Sequence, residues 1–301
     1  MQHIRFRKYA GLAIICLIWG TTWIAIKYSL QGIPPFLGAA LRFALAAGCL
    51  YVYARSRRIS LKLAPGDFKH IFSSAVFLYL LDYGLIYWGE QYLYGGVTAV
   101  FFATFPLFTA LISTLVFKSE PLRWQKLAGL LLAFGGISLI FYDQLLITRF
   151  SGWVLWATIA IVLSARAAAV SLVIVKKHLS HLQTASLTLH QMLWGVVLLA
   201  ITGVLRGEPW PTSISFPVVL AVLYLGIFGS AIAFLIYYSL LKQMSAVSLS
   251  SMIYVTPLVA IVTGWLLLGE AITLRMMLGT AIVLGGIAVS QLKRLRDAAR
   301  T

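Results

Sequence analysis

Long apolar runs alternate with short polar breaks along the whole of this 301-residue chain. The runs fall at roughly 9–28, 35–54, 68–90, 95–117, 124–142, 152–175, 184–205, 216–239, 246–268 and 273–292. Each holds about 20 residues, the length a helix needs to cross the hydrocarbon core of a bilayer. The runs are continuously apolar and do not alternate, so they predict helices and not the strands of a barrel. The expected fold is an all-α membrane protein of ten transmembrane helices. The loops are short, so consecutive helices are expected to be antiparallel neighbours. The basic start, Arg5, Arg7 and Lys8, resembles the head of a signal peptide. The run that follows is too long for one and leads into further apolar segments, so it is read as the first spanning helix.

Composition agrees with the pattern. Hydrophobic residues make up 61% of the chain and charged residues 11%, where a soluble domain carries about a quarter charged. The formal net charge of +16 would suggest nucleic acid in a soluble protein. Here the cations sit in loops between apolar runs, which makes them topology signals and argues against a nucleic-acid partner. Of the 24 Lys and Arg, 18 fall on the side that holds the N-terminus. Only Lys27, Arg149, Arg206 and Arg275 fall on the other, and Arg42 and Arg166 lie within runs. By the positive-inside rule both termini are expected in the cytoplasm, with the chain in a bacterial inner membrane. Cys16 and Cys49 lie in apolar runs without metal-ligand spacing and read as inert buried thiols.

The chain repeats itself. Phe105-Pro-Leu-Phe-Thr-Ala-Leu, then Glu120, Gly129 and Gly135-Gly136, matches Thr256-Pro-Leu-Val-Ala-Ile-Val, then Glu270, Gly279 and Gly285-Gly286. The offset is about 150 residues, so 1–146 and 147–301 each carry five helices. Five is odd, so the second half enters the membrane inverted relative to the first. Many secondary transporters are built this way. Duplication can also persist for packing alone.

These residues resemble the EamA family of the drug/metabolite transporter superfamily. Trp19-Gly-Thr-Thr-Trp23, Lys27, Pro34-Pro35, Arg42 and Ala46 are similar to its first-repeat pattern, and the two Pro…Glu…Gly…Gly-Gly series to its repeat ends. The resemblance covers nearly the whole chain. It implies ten helices in two inverted five-helix repeats and export of amino acids or other small metabolites. The second half departs from the pattern: it has no Trp-Gly-x-x-Trp and no counterpart of Arg42, so the halves are not equivalent in function. Relatives of this kind carry diverse solutes, so the resemblance does not name the substrate.

Charges inside the bilayer are costly and mark function by default. Arg42 and Asp82 fall at matching depths, roughly 10 and 12 Å from the same side, so an ion pair is expected if their helices face each other. The pair reads as a gate, as a carboxylate site on Arg42, or as a structural lock. Arg166 and His190 form a second set at similar height. His190, or Asp82, is a candidate for carrying a coupling proton, and a packed helix histidine is the plainer alternative.

Tyr79, Asp82, Tyr83, Tyr87, Glu90 and Tyr94 make one helical stripe, and Trp19, Trp23 and Lys27 another. Trp19, Trp23, Tyr83 and Tyr87 are candidates for lining a cavity that holds an amphipathic solute. Lys27 and Tyr94 read as interface anchors. Trp156, Tyr237 and Tyr254 are lesser candidates in the second half. Pro106 and Pro257 fall at equivalent places inside helices and read as hinges or as plain kinks. Paired glycines and Ser245, Ser248, Ser250 and Ser251 permit close helix approach. Glu120 and Glu270 read as caps at membrane edges.

No nucleotide-binding loop, zinc-protease motif or nucleophile elbow is present. The expectation is a secondary transporter without catalytic residues, cofactor or metal, working on a small solute, with protons and a homodimer left open. A flippase for lipid-linked precursors is the alternative transport reading, and an intramembrane enzyme the alternative of another class.

Overall fold

A computed structural model describes residues 2–118, 123–259, 261–262 and 272–298. Among them the chain is helical throughout, with no strand. The principal helices are α1 (Gln2–Ser29), α2 (Pro35–Ser56), α3 (Asp67–Gly89), α4 (Gly95–Val116) and α5 (Trp124–Ile140). The second half supplies α6 (Gly152–Leu179), α8 (Phe216–Gln243), α9 (Ala246–Val259), α7 (Thr184–Leu205) and α10 (Leu274–Ala298). Seven of them (α1–α4 and α6–α8) are long and apolar enough to cross a membrane, whereas α5, α9 and α10 hold shorter apolar stretches. Large apolar side chains point outward on several helices, among them Leu163 on α6, Leu131 on α5 and Ile201 on α7. In water such a surface would be an aggregation hazard. Against lipid it is the matching solvent, and the chain is a multi-pass membrane protein.

Helix starts follow local chemistry. Pro35 and Pro217 occupy the first turns of α2 and α8, where the missing N–H costs nothing. Ser245 caps α9, its hydroxyl accepting from the Ser248 amide at 3.1 Å. The amides of Phe36 and Leu37 donate to the Glu208 carboxylate at 3.1 and 2.9 Å. An acid from the α7–α8 loop thereby closes the N-terminus of α2 and ties the two halves together.

The helix pairs follow a two-fold logic. α2 packs on α7, α4 on α9 and α5 on α10, while α1 on α8 is matched by α6 on α3. Exchanging the halves maps this set onto itself. The α5–α10 contact is antiparallel: Gly129 faces Gly286 and Gly136 faces Gly279, backbone to backbone. The paired glycines of the sequence repeat thus allow two helices to touch where any Cβ would collide.

Loop contacts sort the molecule into two ends. Loop residues after α1, α3 and α7 meet around one groove. Arg275, in the first turn of α10, reaches Asp143, after α5, at the same end. At the opposite end Asp67 lies 3.0 Å from His181, and Lys177 sits over Phe117. The Arg and Lys of α1's start, Arg7 and Lys8, lie at that second end beside Tyr53 and Gln243.

Both prolines singled out above follow an interruption. α4 runs as Gly95–Phe102, turns at Ala103 and Thr104, and restarts at Phe105–Leu111. α9 tightens to a 3₁₀ turn over Ser251–Val255 before Thr256 and Pro257. Four stretches widen to i→i+5 bonding: Val76–Tyr83 in α3, Ile112–Val116 in α4, Val175–Leu179 in α6 and Ile227–Ile232 in α8. Those of α3 and α8 begin at equivalent places of the two halves. Glu120 and Glu270 lie outside the described residues.

Candidate solute cavity

The widened turn of α8 is the foundation of the site. A turn of this kind slips the hydrogen-bond register and frees carbonyls for other donors. The Gly229 carbonyl accepts from Arg42 Nη2 at 3.1 Å and from Trp19 Nε1 at 3.2 Å. Next to it the Ser230 hydroxyl accepts from Arg42 Nε at 2.7 Å. Arg42 of α2 and Trp19 of α1 are thereby fixed to one turn of α8. The guanidinium lies 4.9 Å from the Tyr83 ring centre and 5.2 Å from that of Phe43, close enough for cation–π attraction in a desolvated setting. Arg42 is only 1% exposed, and its Nη1 has no hydrogen-bond partner.

Around this anchor α1, α2, α3, α4, α6, α8 and α9 enclose a narrow cavity of about 80 Å³. Trp19 and Trp23 form one wall, Asp82 and Tyr83 a second, and Phe234, Tyr237 and Tyr238 a third. Trp19 packs on Tyr237 at 5.0 Å and on Phe234 at 5.7 Å, and Trp23 on Phe102 at 5.6 Å. The edge-to-face and tilted rings make a close-fitting aromatic surface. Asp82 is buried beside Ser164, and its Oδ1 has no partner. A buried carboxylate oxygen and a buried guanidinium nitrogen, both unpaired, cost folding energy. Both belong to residues of a wall that otherwise carries rings, aliphatic side chains and the hydroxyls of Thr22 and Ser171.

The structure therefore brings Trp19, Trp23, Arg42, Asp82 and Tyr83 into one cavity and leaves other candidates outside it. Arg42 and Asp82 do not form the expected ion pair, because the arginine is turned onto α8. Tyr87 is fully buried behind the wall, near Arg42. Arg166 is exposed on the outward face of α6, about 200° round the helix from the lining residue Ala168. His190 is half-buried on α7, with Nδ1 2.7 Å from the Ser186 carbonyl oxygen. Tyr254 donates its hydroxyl to the Leu130 carbonyl at 3.2 Å and so ties α9 to α5. Trp156 is exposed. Pro106 is buried within α4, and Pro257 borders a separate lateral groove.

Sequence reasoning missed Phe234 and Tyr238, although their i, i+4 spacing is a helical stripe of the kind used for α3. It also missed Ser230 and Gly229, for which the sequence carries no signal. Among the described residues no three His, Cys, Asp or Glu side chains gather to hold a metal.

Comparison with known proteins adds a family. The EamA-like transporter family matches residues 7–142 and 155–291, once in each half. Protein PagO of Salmonella typhimurium is 27% identical over 265 residues, covering 88% of this chain and 86% of that protein. The uncharacterized inner membrane transporter YedA of Escherichia coli K12 is 30% identical over 279 residues, covering 90% and 87%. The uncharacterized transporter YoaV of Bacillus subtilis is 26% identical over 278 residues, covering 92% and 94%. One solved structure superimposes with a TM-score of 0.76 at 21% identity, covering 95% of this chain and 97% of that one, which shows a shared fold.

Proposed function

The chain belongs to the EamA-like transporter family, and from that premise we propose that it exports amino acids or similar small amphipathic metabolites. In this reading two inverted five-helix halves, 1–146 and 147–301, carry ten spans and expose the central cavity to each side in turn. The second end, which holds most of the Lys and Arg, faces the cytoplasm of a bacterial cell, with both termini there.

The observation that carries the proposal is the pairing of unpaired groups in the cavity. Arg42 Nη1 and Asp82 Oδ1 are buried without partners among aromatic rings. A solute with a carboxylate, an ammonium group and an apolar body complements all three. Arg42 supplies the donor face that suits a carboxylate, Asp82 the counter-charge, and Trp19, Trp23 and Tyr83 the apolar contact. The two-fold set of helix pairs supports two related arrangements, one open to each side.

The test is a comparison of spent media from cells producing the wild type, Arg42→Ala at equal membrane abundance, or no protein. Accumulation of a narrow set of carboxylate-bearing solutes only with the wild type is the expected result. Three identical profiles would sink the export reading.

A further inference from the structure

We infer that Lys27 and Lys176 are the two gate latches of this transporter, one at each end of the cavity and related by the internal repeat. The inference rests on the transport reading above and assigns its moving contacts.

Lys27, near the end of α1, donates from Nζ to the carbonyl oxygens of Glu90 and Leu93, just past the end of α3. Lys176, near the end of α6, donates from Nζ to the carbonyl oxygen of Leu241, near the end of α8, at 2.6 Å. The two lysines are about 150 residues apart, as are Glu90 and Leu241, which is the offset of the repeat. Exchange of the halves carries α1 to α6 and α3 to α8, so one contact maps onto the other. Both lysines supply the ammonium groups that close the helix ends concerned.

Position makes these contacts gates and not general ties. Trp23 and Ile86 line the cavity, and Lys27 and Glu90 lie four residues further along the same helices, one turn beyond. Leu172 and Tyr237 line it toward the opposite end, and Lys176 and Leu241 again lie four residues on. Each latch therefore spans the cavity just past its last lining side chains, at opposite ends. The helices that it joins pack chiefly elsewhere: α1 on α8, and α3 on α6. The lysine is thus a bridge between elements held by different neighbours, which is where the α1–α8 pair and the α3–α6 pair can separate.

The chemistry suits a contact that must break. An ammonium group on the carbonyls of a helix C-terminus gains from the helix dipole and makes strong, directional bonds. It also hydrates readily once freed, so opening is not penalised as exposure of a ring would be. The two ends differ in detail. Glu90 adds a buried carboxylate near Lys27, where its counterpart is Leu241. At the second end Lys242 adds a bond from α8 to the Leu182 carbonyl.

The test reads access to the cavity from each face. Cys16→Ser and Cys49→Ser remove the native thiols, and Ala168→Cys places a single thiol in the cavity wall. Its modification by a membrane-impermeant methanethiosulfonate is timed in right-side-out and inside-out vesicles. Lys27→Met is expected to speed modification from the face that holds Lys27 by about tenfold, the weight of one charge-assisted bond, and to slow it from the other. Lys176→Met combined with Lys242→Met is expected to do the reverse, and Lys27→Arg and Lys176→Arg to restore the parental rates. Equal rates in all variants, or the same shift from both faces, overturn the latches. Metabolite export by the wild type is measured in parallel. Opposite shifts without export would keep the latches and sink the export reading, whereas export without opposite shifts would do the converse.

Discussion

Gly129 of α5 lies so close to Gly286 of α10 that a Cβ built on Gly129 would stand 2.5 Å from the Gly286 carbonyl oxygen. The partner atom is backbone, so no side chain can swing aside. Gly135, six residues along the same helix, faces open space within 4 Å. The pair gives an internal control. Gly129→Ala is expected to destabilise by about 1–3 kcal/mol, the usual penalty for overpacking. Gly135→Ala is expected to cost nothing or to stabilise slightly. Thermal unfolding of both variants in the same detergent measures the difference, and equal midpoints would contradict the close α5–α10 contact.

Among the described residues Asp82 is the one acid on the cavity wall, and one of its oxygens is unpaired. Asp82→Asn keeps the shape and removes the charge. If the carboxylate faces the ammonium group of the solute, export of ammonium-bearing solutes should fall about tenfold, the value of about one charged hydrogen bond. Solutes without a cationic group should be carried at near the parental rate. Export assays with paired solutes, matched except for the amino group, would show whether the loss is selective.

The repeat, the helices and the paired glycines were legible in the sequence because each is a local or periodic signal. Apolar length marked the helices, and the offset of about 150 residues predicted that Gly129 and Gly286 belong to equivalent elements. The details of the site were less legible. Depth along a helix follows from counting, but the direction in which a side chain points requires knowing which face is buried. Arg42 and Asp82 were matched in depth and do share the cavity, yet Arg42 turns to α8, 188 residues away from its own position at Ser230. The widened turn that presents Gly229 and Ser230 comes from backbone register, which no residue type announces. Arg166 and His190 were matched in depth as well, and neither lines the cavity.

That placement leads to a contrasting expectation. Arg166 is exposed on α6, and His190 bonds within its own helix to Ser186. Neither lines the cavity. Arg166→Gln and His190→Gln are therefore expected to retain export within about twofold at equal abundance, a range typical of substitutions away from named interactions. A loss of more than about tenfold for His190→Gln, together with a shifted pH profile of export, would return that histidine to the transport path.

Arg42 offers the sharpest separation between architecture and recognition. Its Nε and Nη2 hold α2 to the Ser230 hydroxyl and the Gly229 carbonyl, and its Nη1 has no partner. A lysine at this position keeps the charge and can still reach one acceptor on α8, but it lacks the planar fork that grips a carboxylate. Arg42→Ala removes both the tie and the fork and leaves the Ser230 and Gly229 acceptors buried without this donor. Arg42→Lys is thus expected to fold and reach the membrane at near the wild-type level, with thermal stability well above that of Arg42→Ala. Its export of carboxylate-bearing solutes should nonetheless fall by about tenfold or more, chiefly as a raised half-saturation concentration. The measurement is export rate against internal solute concentration for the three proteins, with abundance and unfolding midpoint alongside. If Arg42→Lys exports with unchanged half-saturation, then Arg42 serves α2 and α8 alone, and the carboxylate site must be sought elsewhere on the cavity wall.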